Sequence, residues 1–183
     1  MLFHEEVFTG KNGKVYTLRS PDAADAEKLI TFLKLSAEET EFGLSYPEEL
    51  DFSIKDEENF ISHFSADKGS IMICAFDGDS LIGYAYLSCV MERKKTQHRA
   101  SFGIVILKSH WAQGLGKKLL SELISFAKQA GYEQVELEVV SVNSSAISLY
   151  KKMGFVAYGE HPRSWRLKSG EYSDELLMVL DLK

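Results

Sequence analysis

The stretch SFGIVILKSHWAQGLGKKLL, residues 101–120, joins three kinds of local pattern in immediate succession. SFGIVIL is an apolar run typical of a buried strand, and LGKKLL opens a pattern with helical periodicity. Gly114 and Gly116 lie between the two. Glycines at such a turn lack the Cβ atoms that would keep a ligand away from the backbone. The stretch therefore predicts a strand, a loop that approaches a ligand, and a long helix.

Two familiar phosphate-binding loops fit this turn poorly. A P-loop requires G-x-x-x-x-G-K-[ST], and here the glycine spacing is wrong and no hydroxyl follows for Mg²⁺. A dinucleotide fingerprint would place its third glycine at Leu119. Glu136, about 20 residues beyond Gly116, could imitate the ribose-binding acid of that fingerprint. The antiparallel strands expected upstream do not suit that fold.

A third interpretation requires only an anion at the start of a helix. Residues 112–117 would present consecutive backbone N–H groups to a pyrophosphate, and the helix dipole favours negative charge there. Lys117 and Lys118 would add positive charge at the rim. For the two glycines alone, a simple strand-to-helix turn without a ligand stays open.

The remaining apolar periodicity predicts a mixed sheet with helices packed on it. Asp77-Gly78-Asp79 is a hairpin turn signal, and the β–α–β unit that includes the glycine loop requires two parallel strands. We expect one α/β (α+β mixed-sheet) domain over residues 1–183. The predicted strands are 15–19, 70–76, 81–91, 98–107, 134–140, 155–161 and 175–182. The predicted helices begin near Pro21, cover 56–66, run from the glycine loop to Gly131, and cover 144–153.

Composition excludes several classes of function. A net charge of −6, with no basic cluster beyond Arg93-Lys94-Lys95, argues against nucleic-acid binding. No signal peptide or stretch of about 18 apolar residues is present, so no membrane association is expected. Cys74 and Cys89 lie in strand-like runs without metal-ligand spacing, and no histidines pair at helical spacing. We expect a cytoplasmic protein with buried, reduced thiols and no metal.

A second segment, LEVVSVNSSAISLYKKMGF, residues 137–155, narrows the interpretation of the glycine loop. Together the two stretches resemble the Gcn5-related N-acetyltransferase (GNAT) family, whose loop is written [QR]-x-x-G-x-[GA]. The resemblance covers nearly the whole chain, including Pro21-Asp22-Ala23 and the final GEYSDELLM. One departure is Trp111, where the family usually has Gln or Arg. The downstream family pattern N-x-x-A-x-x-L-Y-x-x-x-G-F is matched by Asn143, Ala146, Leu149, Tyr150, Gly154 and Phe155.

The resemblance implies a GNAT fold with a mostly antiparallel sheet, about four helices and a parallel pair of strands that splay apart. Acetyl-CoA, the acyl donor, would lie with its pantetheine arm in the gap. The backbone of Ile104, Val105 and Ile106 would pair with that arm, and Asn143 would bond it or cap the following helix. The implied pyrophosphate-binding residues are Trp111, Ala112, Gln113, Gly114, Leu115, Gly116, Lys117 and Lys118.

The family pattern also implies catalytic residues. Tyr150 would contact the donor and protonate the departing CoA thiolate, although its helical spacing equally suits a core aromatic. An amine with a pKa near about 10.4 must lose a proton before it attacks. Glu138 matches the base of some relatives, Glu136 lies on the same face, and Ser101 stands where other relatives have a carboxylate. A solvated face is the alternative for both glutamates.

The acetyl acceptor is not disclosed by the sequence. In this family the acceptor site is shaped by segments equivalent to residues 39–49 and 163–172, and the acidic first segment would suit a cationic amine. A small-molecule, amino-acid or peptide amine is expected, and a larger acyl group stays open because of Trp111. A degenerate acyl-CoA sensor is the alternative to an enzyme. Homodimers are common in the family, and nothing in the sequence demonstrates one.

Overall fold

A computed structural model describes residues 2–183, which fold around one eight-stranded sheet in the order β1-β2-β3-β4-β5-β6-β8-β7. Neighbouring strands are antiparallel except for the parallel β5–β6 pair. The strands are β1 Glu6–Thr9, β2 Val15–Arg19, β3 Ile71–Asp77, β4 Ser80–Cys89, β5 Arg99–Ile106, β6 Gln134–Val140, β7 Val156–Arg166 and β8 Tyr172–Asp181. The helices are α1 Ala26–Glu39, α2 Ile54–Ala66, α3 Leu115–Gln129 and α4 Ser144–Lys152. The expected mixed fold with four helices is confirmed.

Two apolar clusters cover the two faces of the sheet. The first packs α3 and α4 against one face, and the second packs α1 and α2 against the other. Successive residues of β3 alternate between them: Ile71 and Ile73 belong to the first cluster, Met72 and Cys74 to the second. A strand covered on both faces needs an uninterrupted apolar run, which is what SIMICAF provides.

Local hydrogen bonds set where the first two helices begin. Asp22 caps a 3₁₀ turn over Ala23–Asp25, and its carboxylate accepts from the Ala24 N–H at 2.8 Å. Pro21 therefore precedes the cap instead of lying in the first turn. The Ser53 side chain likewise caps α2, which begins two residues before the expected position, at Ile54.

β1 and β7 differ most from the sequence expectation, and β8 begins at Tyr172 instead of the expected residue 175. β1 was not expected, because this short edge strand has mostly exposed side chains and no apolar alternation. β7 continues to Arg166, well beyond the expected end at residue 161. Pro162 lies within this extension, although proline cannot donate a hydrogen bond to a strand ladder. The strand accommodates it with a register shift between His161 and Trp165 at the edge of the sheet.

The parallel pair opens into a gap. β5 and β6 pair only at Arg99↔Gln134, Ala100↔Val135 and Ser101↔Glu136. Beyond Ser101, β5 stays with β4 as far as Ile106, while β6 stays with β8. The second half of β5 thus has no strand on one side, and the expected splay is present.

Candidate functional site

The open side of β5 exposes main-chain hydrogen-bonding groups. The His98 carbonyl, on the β6 side, accepts from the Glu133 N–H at 2.9 Å, whereas the Leu107 N–H, on the β4 side, donates to the Ile82 carbonyl at 3.0 Å. Because bonding direction alternates along a strand, the Ile104 backbone and the Ile106 N–H point into the gap. Val105 points its backbone toward Tyr84 of β4 instead. Of the three residues expected to pair with a ligand, two face the gap.

The glycine loop, which follows β5, presents a run of backbone N–H groups beside this gap. Ala112 and Gly114 both have left-handed backbone, with φ of 60° and 91°. The first helical bond of α3 runs from the Lys118 N–H to the Gly114 carbonyl at 3.0 Å. Within residues 2–183, no acceptor bonds the N–H groups of residues 112–117. Six consecutive donors at a helix N-terminus are an arrangement that could bind an anion.

The two lysines after the loop have different surroundings. Lys117 is exposed. The Lys118 ammonium lies 2.6 Å from a Glu6 carboxylate oxygen and 2.8 Å from one of Glu122. Burial lowers the pKa of Lys118, but its hydrogen bonds to Glu122 and Glu6 outweigh burial and leave the pKa raised. The positive charge expected from Lys118 is therefore largely neutralised by the protein itself.

Trp111 braces the loop instead of presenting a phosphate ligand. Its indole N–H donates to the Ile106 carbonyl at 2.6 Å. Its ring stacks on Phe42, from the segment between α1 and α2, at 6.4 Å and an interplanar angle of 16°. The side chain thus connects the anion loop, the open edge of β5 and the α1–α2 segment.

Tyr150 and Asn143 lie on the α4 side of the gap. The Asn143 side-chain Oδ1 accepts from the Ala146 N–H at 3.1 Å, so the residue caps α4 as one of its two expected roles. The Tyr150 ring packs against Phe102 at 5.7 Å and Phe155 at 6.0 Å. Burial raises the pKa of Tyr150 to about 12. Its hydroxyl is consequently a neutral donor at physiological pH, and nothing in the described part of the chain accepts from it.

The two β6 glutamates lie on the opposite face of the sheet. Leu137 and Val139 pack in the α3–α4 cluster, so the alternate residues Glu136 and Glu138 face the α1–α2 side. Glu136 is held by the Arg99 guanidinium through bonds of 2.7 and 2.8 Å. Glu138 is exposed and has no ion-pair partner among residues 2–183. Tyr150 and Glu138 could therefore act from opposite sides of one ligand in the gap.

A cleft of about 600 Å³ lies where the α1–α2 segment meets the β7–β8 turn. Lys168 of that turn bonds Glu48 at 2.6 Å and lies 4.4 Å from the centre of the Tyr46 ring. Glu39 accepts from the Lys108 N–H at 2.7 Å. The two segments expected to shape an acceptor site thus meet, and Trp111 lines the same cleft.

The sequence expectations did not single out Glu57. Only 5% of this α2 residue is exposed, and within the described chain nothing donates to its buried Oε2. Burial first, then the nearby Asp56 charge, raise the pKa of Glu57. The available signal was its spacing: Glu57, Ile61 and Phe64 form one buried stripe on α2, and a carboxylate on such a stripe requires an explanation.

Comparisons with known proteins agree with this geometry. Residues 33–155 match the family model described as the acetyltransferase (GNAT) family. The chain is similar to an L-amino acid N-acetyltransferase, AaaT, of Escherichia coli K12, with 32% identity over 110 residues, covering 59% of this chain and 65% of that protein. A GNAT-family acetyltransferase from Streptococcus pneumoniae superposes with a TM-score of 0.86 at 28% identity, covering 91% of this chain and 99% of the other. A phosphinothricin acetyltransferase from Sinorhizobium meliloti, solved with acetyl-CoA, gives a TM-score of 0.79 at 25% identity over 91% and 88% of the two chains.

The chain therefore belongs to the acetyltransferase (GNAT) family. The aligned segment spans just under two thirds of the AaaT protein, 65% of its length. No helix between residues 2 and 183 is long and apolar enough to cross a membrane.

Proposed function

We propose that the protein is an acetyl-CoA-dependent N-acetyltransferase that transfers the acetyl group directly to a primary amine of a small molecule, amino acid or peptide. The observation that carries the proposal is the continuity of two main-chain features. The free N–H groups of residues 112–117 lead directly to the open edge of β5. A ligand with a pyrophosphate at one end and an amide-containing arm at the other matches that arrangement, and acetyl-CoA has both.

In this proposal the chain binds the donor mainly through its backbone. The loop holds the pyrophosphate, and the Ile104 and Ile106 main-chain groups pair with the amides of the pantetheine arm. Gly114 and Gly116 allow the pyrophosphate to approach the backbone closely. The Trp111 side chain supports the loop through its contacts within the protein. Asn143 borders the arm while it caps α4. Lys117 supplies the exposed positive charge at the rim.

The acetyl transfer follows from the groups on either side of the gap. The neutral amine attacks the thioester carbonyl, the C–S bond breaks, and the acceptor nitrogen gives up its extra proton. With a pKa of about 12, Tyr150 is a much weaker acid than a free thiol of about 8.5. Full proton transfer to the thiolate would cost about 5 kcal/mol on those values. Tyr150 therefore acts chiefly by donating a hydrogen bond to the developing thiolate.

The proton of the amine is assigned to Glu138 or to water held by it. Glu136 is the poorer candidate because its carboxylate oxygens already accept from the Arg99 guanidinium. Glu138 is exposed and lies on the face opposite Tyr150, where an acceptor can approach without crossing the donor. A Glu138→Gln variant should lose the acid limb of the pH–rate profile. Retention of that limb would remove Glu138 from the mechanism.

A thermal shift measurement tests the donor assignment. At a ligand concentration 100-fold above Kd, binding stabilises the native state by about 2.7 kcal/mol, or about 5–10 °C in Tm for a chain of this size. Acetyl-CoA should give that shift, whereas NAD and ATP should not. A shift with NAD or ATP alone would overturn the proposal.

An amine panel separates the enzyme from the alternative, a non-catalytic acyl-CoA sensor. Amine-dependent release of free CoA thiol supports the enzyme. Tight acetyl-CoA binding without release for any primary amine supports the sensor. The combined presence of the loop, Asn143 and Tyr150 favours the enzyme, since a sensor needs no donor to the thiolate.

The proposal also covers the cellular location and the oligomeric state of the protein. Cys74 and Cys89 form no disulfide, which suits a cytoplasmic protein. Recovery of the protein in a membrane or extracytoplasmic fraction would contradict that location. The oligomeric state, with a homodimer as one outcome, is measured by light scattering on the purified chain.

A further inference from the structure

The buried Glu57 carboxylate is an exception to the way polar groups are paired in this chain. Its Oε2 is buried and, among residues 2–183, has no hydrogen-bond donor. Buried carboxylates in folded proteins are normally paired, because leaving one unsatisfied is costly. The Glu57 Oε2 is therefore an acceptor that no group of the described chain satisfies.

Glu57 lies at helical spacing from Phe60 and Phe64 on α2, and both of those rings pack on Tyr86 of β4. Burial first, and then the Tyr86 hydroxyl, the Cys74 thiol and the Glu57 carboxylate, raise the pKa of Tyr84. The Tyr84 and Tyr86 rings stack at 6.1 Å with an interplanar angle of 13°, and both are half-buried. Glu57 and the paired phenols thus form one group on the α1–α2 face of the sheet.

The Tyr86 ring connects this group of side chains to the strands that splay apart. Its ring covers Gly103 of β5 so closely that a Cβ on Gly103 would lie 2.5 Å from a ring carbon and 2.9 Å from the hydroxyl oxygen. Gly103 lies two positions beyond Ser101↔Glu136, the last pair between β5 and β6. The Tyr86 hydroxyl therefore stands at the point where the gap opens, on the face opposite Tyr150.

We propose that Glu57, Tyr84 and Tyr86 form the subsite that binds the ammonium group of the acetyl acceptor. The Glu57 carboxylate pairs with the cation, and the two phenol rings border it. This inference rests on the proposed N-acetyltransferase function, whose acceptor it specifies. The amine binds here in its charged form and gives its proton to Glu138, or to water held by Glu138, before the neutral nitrogen attacks.

The surroundings favour a primary amine on a compact apolar body over a polyamine. Phe60 packs on Tyr86 at 6.4 Å and is 39% exposed, so an aromatic ring borders this group at the protein surface. A polyamine would need several free carboxylates. Near the cleft, Glu39 bonds the Lys108 N–H and Glu48 bonds Lys168, whereas the exposed Glu38 and Glu41 line the cleft, so spermidine is included as a comparison.

A Glu57→Gln variant tests the subsite, with 2-phenylethylamine as the probe and spermidine and 2-phenylethanol as comparisons. The substitution keeps the shape of the side chain and removes its charge. The expected result is a KM for 2-phenylethylamine raised at least about tenfold, with kcat changed less than about threefold. The Kd for acetyl-CoA should be unchanged. Glu58→Gln, at the neighbouring half-buried position paired with Lys55, is the matched control and should behave as wild type.

A binding measurement covers the case of slow or absent turnover. In the presence of CoA, 2-phenylethylamine should raise Tm, its neutral analogue 2-phenylethanol should not, and Glu57→Gln should abolish the difference. Tyr86→Phe gives a second variant that weakens the same effect. A KM and an amine-dependent shift in Glu57→Gln equal to those of wild type overturn the subsite while the enzyme stands. Absence of both acetyl-CoA binding and turnover in wild type overturns the proposed function and the subsite with it.

Discussion

Replacing Gly103 by alanine should force the Tyr86 ring out of its position. An added Cβ would lie 2.5 Å from the Tyr86 Cε1 and 2.8 Å from Cζ. Ordinary contacts of this kind begin near about 3.4 Å, so the ring must move by about 1 Å. It cannot do so freely, because it is packed against Phe64 at 5.6 Å and stacked on Tyr84.

Two opposing effects determine how much Gly103→Ala changes the free energy of unfolding. Overpacking a filled site typically costs about 1–3 kcal/mol. Without the clash, alanine in place of a strand glycine would stabilise by about 0.4–1 kcal/mol, because it restricts the unfolded chain. We therefore expect Gly103→Ala to lower the unfolding free energy by about 1–3 kcal/mol in the presence of the Tyr86 ring. In a Tyr86→Ala background the same substitution should be neutral or stabilising.

Urea unfolding of the four variants in this double-mutant cycle measures the coupling directly. The interaction energy should exceed about 1 kcal/mol, well beyond the near-additivity of distant sites. Gly43→Ala is the matched control, because nothing lies within 4 Å of its Cβ position, and it should change stability little. An equal cost of Gly103→Ala with and without the Tyr86 ring would refute the placement of that ring over β5.

Three further predictions concern Tyr150 of α4 and Gly114 of the glycine loop. Tyr150→Phe should lower kcat for CoA release by about 10–100-fold, the value of one hydrogen bond to a charged group, and unchanged turnover would exclude Tyr150 from the mechanism. Since the folded pKa of Tyr150 is about 12 and the unfolded value about 10, its stabilising contribution is complete below pH 10 and is lost as pH rises through 12. Tyr150→Phe should consequently lose less stability than wild type between pH 8 and pH 11 in urea titrations, and parallel losses would contradict that sign. Gly114→Ala should destabilise by about 1–2 kcal/mol and raise the Kd for acetyl-CoA, because φ is 91° there; a wild-type Kd by calorimetry would show that the left-handed turn does not shape the anion site.

The sequence was most informative where one physical constraint dominates. The apolar run SIMICAF, residues 70–76, was predicted as a strand and Asp77-Gly78-Asp79 as a tight turn, and the structure has β3 and the β3–β4 hairpin at those positions. The parallel β5–β6 pair followed from the helix between them and from the handedness of such crossovers. The splay itself was expected only through the family resemblance.

The sequence predictions failed at exposed edge strands and at contacts between residues that lie far apart in the chain. β1 and the end of β7 are exposed edge strands, so their residues carry no alternation that distinguishes strand from loop. The neutralisation of Lys118 depends on Glu6, more than 100 positions away in the chain. The packing of Tyr86 over Gly103 likewise depends on the register of β4 and β5 and not on any local spacing. Residues of this kind can be located only once the tertiary fold is known.

The donor site proposed for this protein consists largely of peptide groups, and every amino acid except proline supplies the same peptide N–H. Most substitutions in the loop would therefore leave its hydrogen-bonding surface intact, provided that the backbone keeps its two left-handed positions at Ala112 and Gly114. Selection can then change the surrounding side chains widely without losing the cofactor. Sequence identity to relatives is expected to decay much faster than donor binding, and the acceptor side, which depends on individual side chains, becomes the part free to diversify. Two members of such a family can share one cofactor and differ in almost everything they modify.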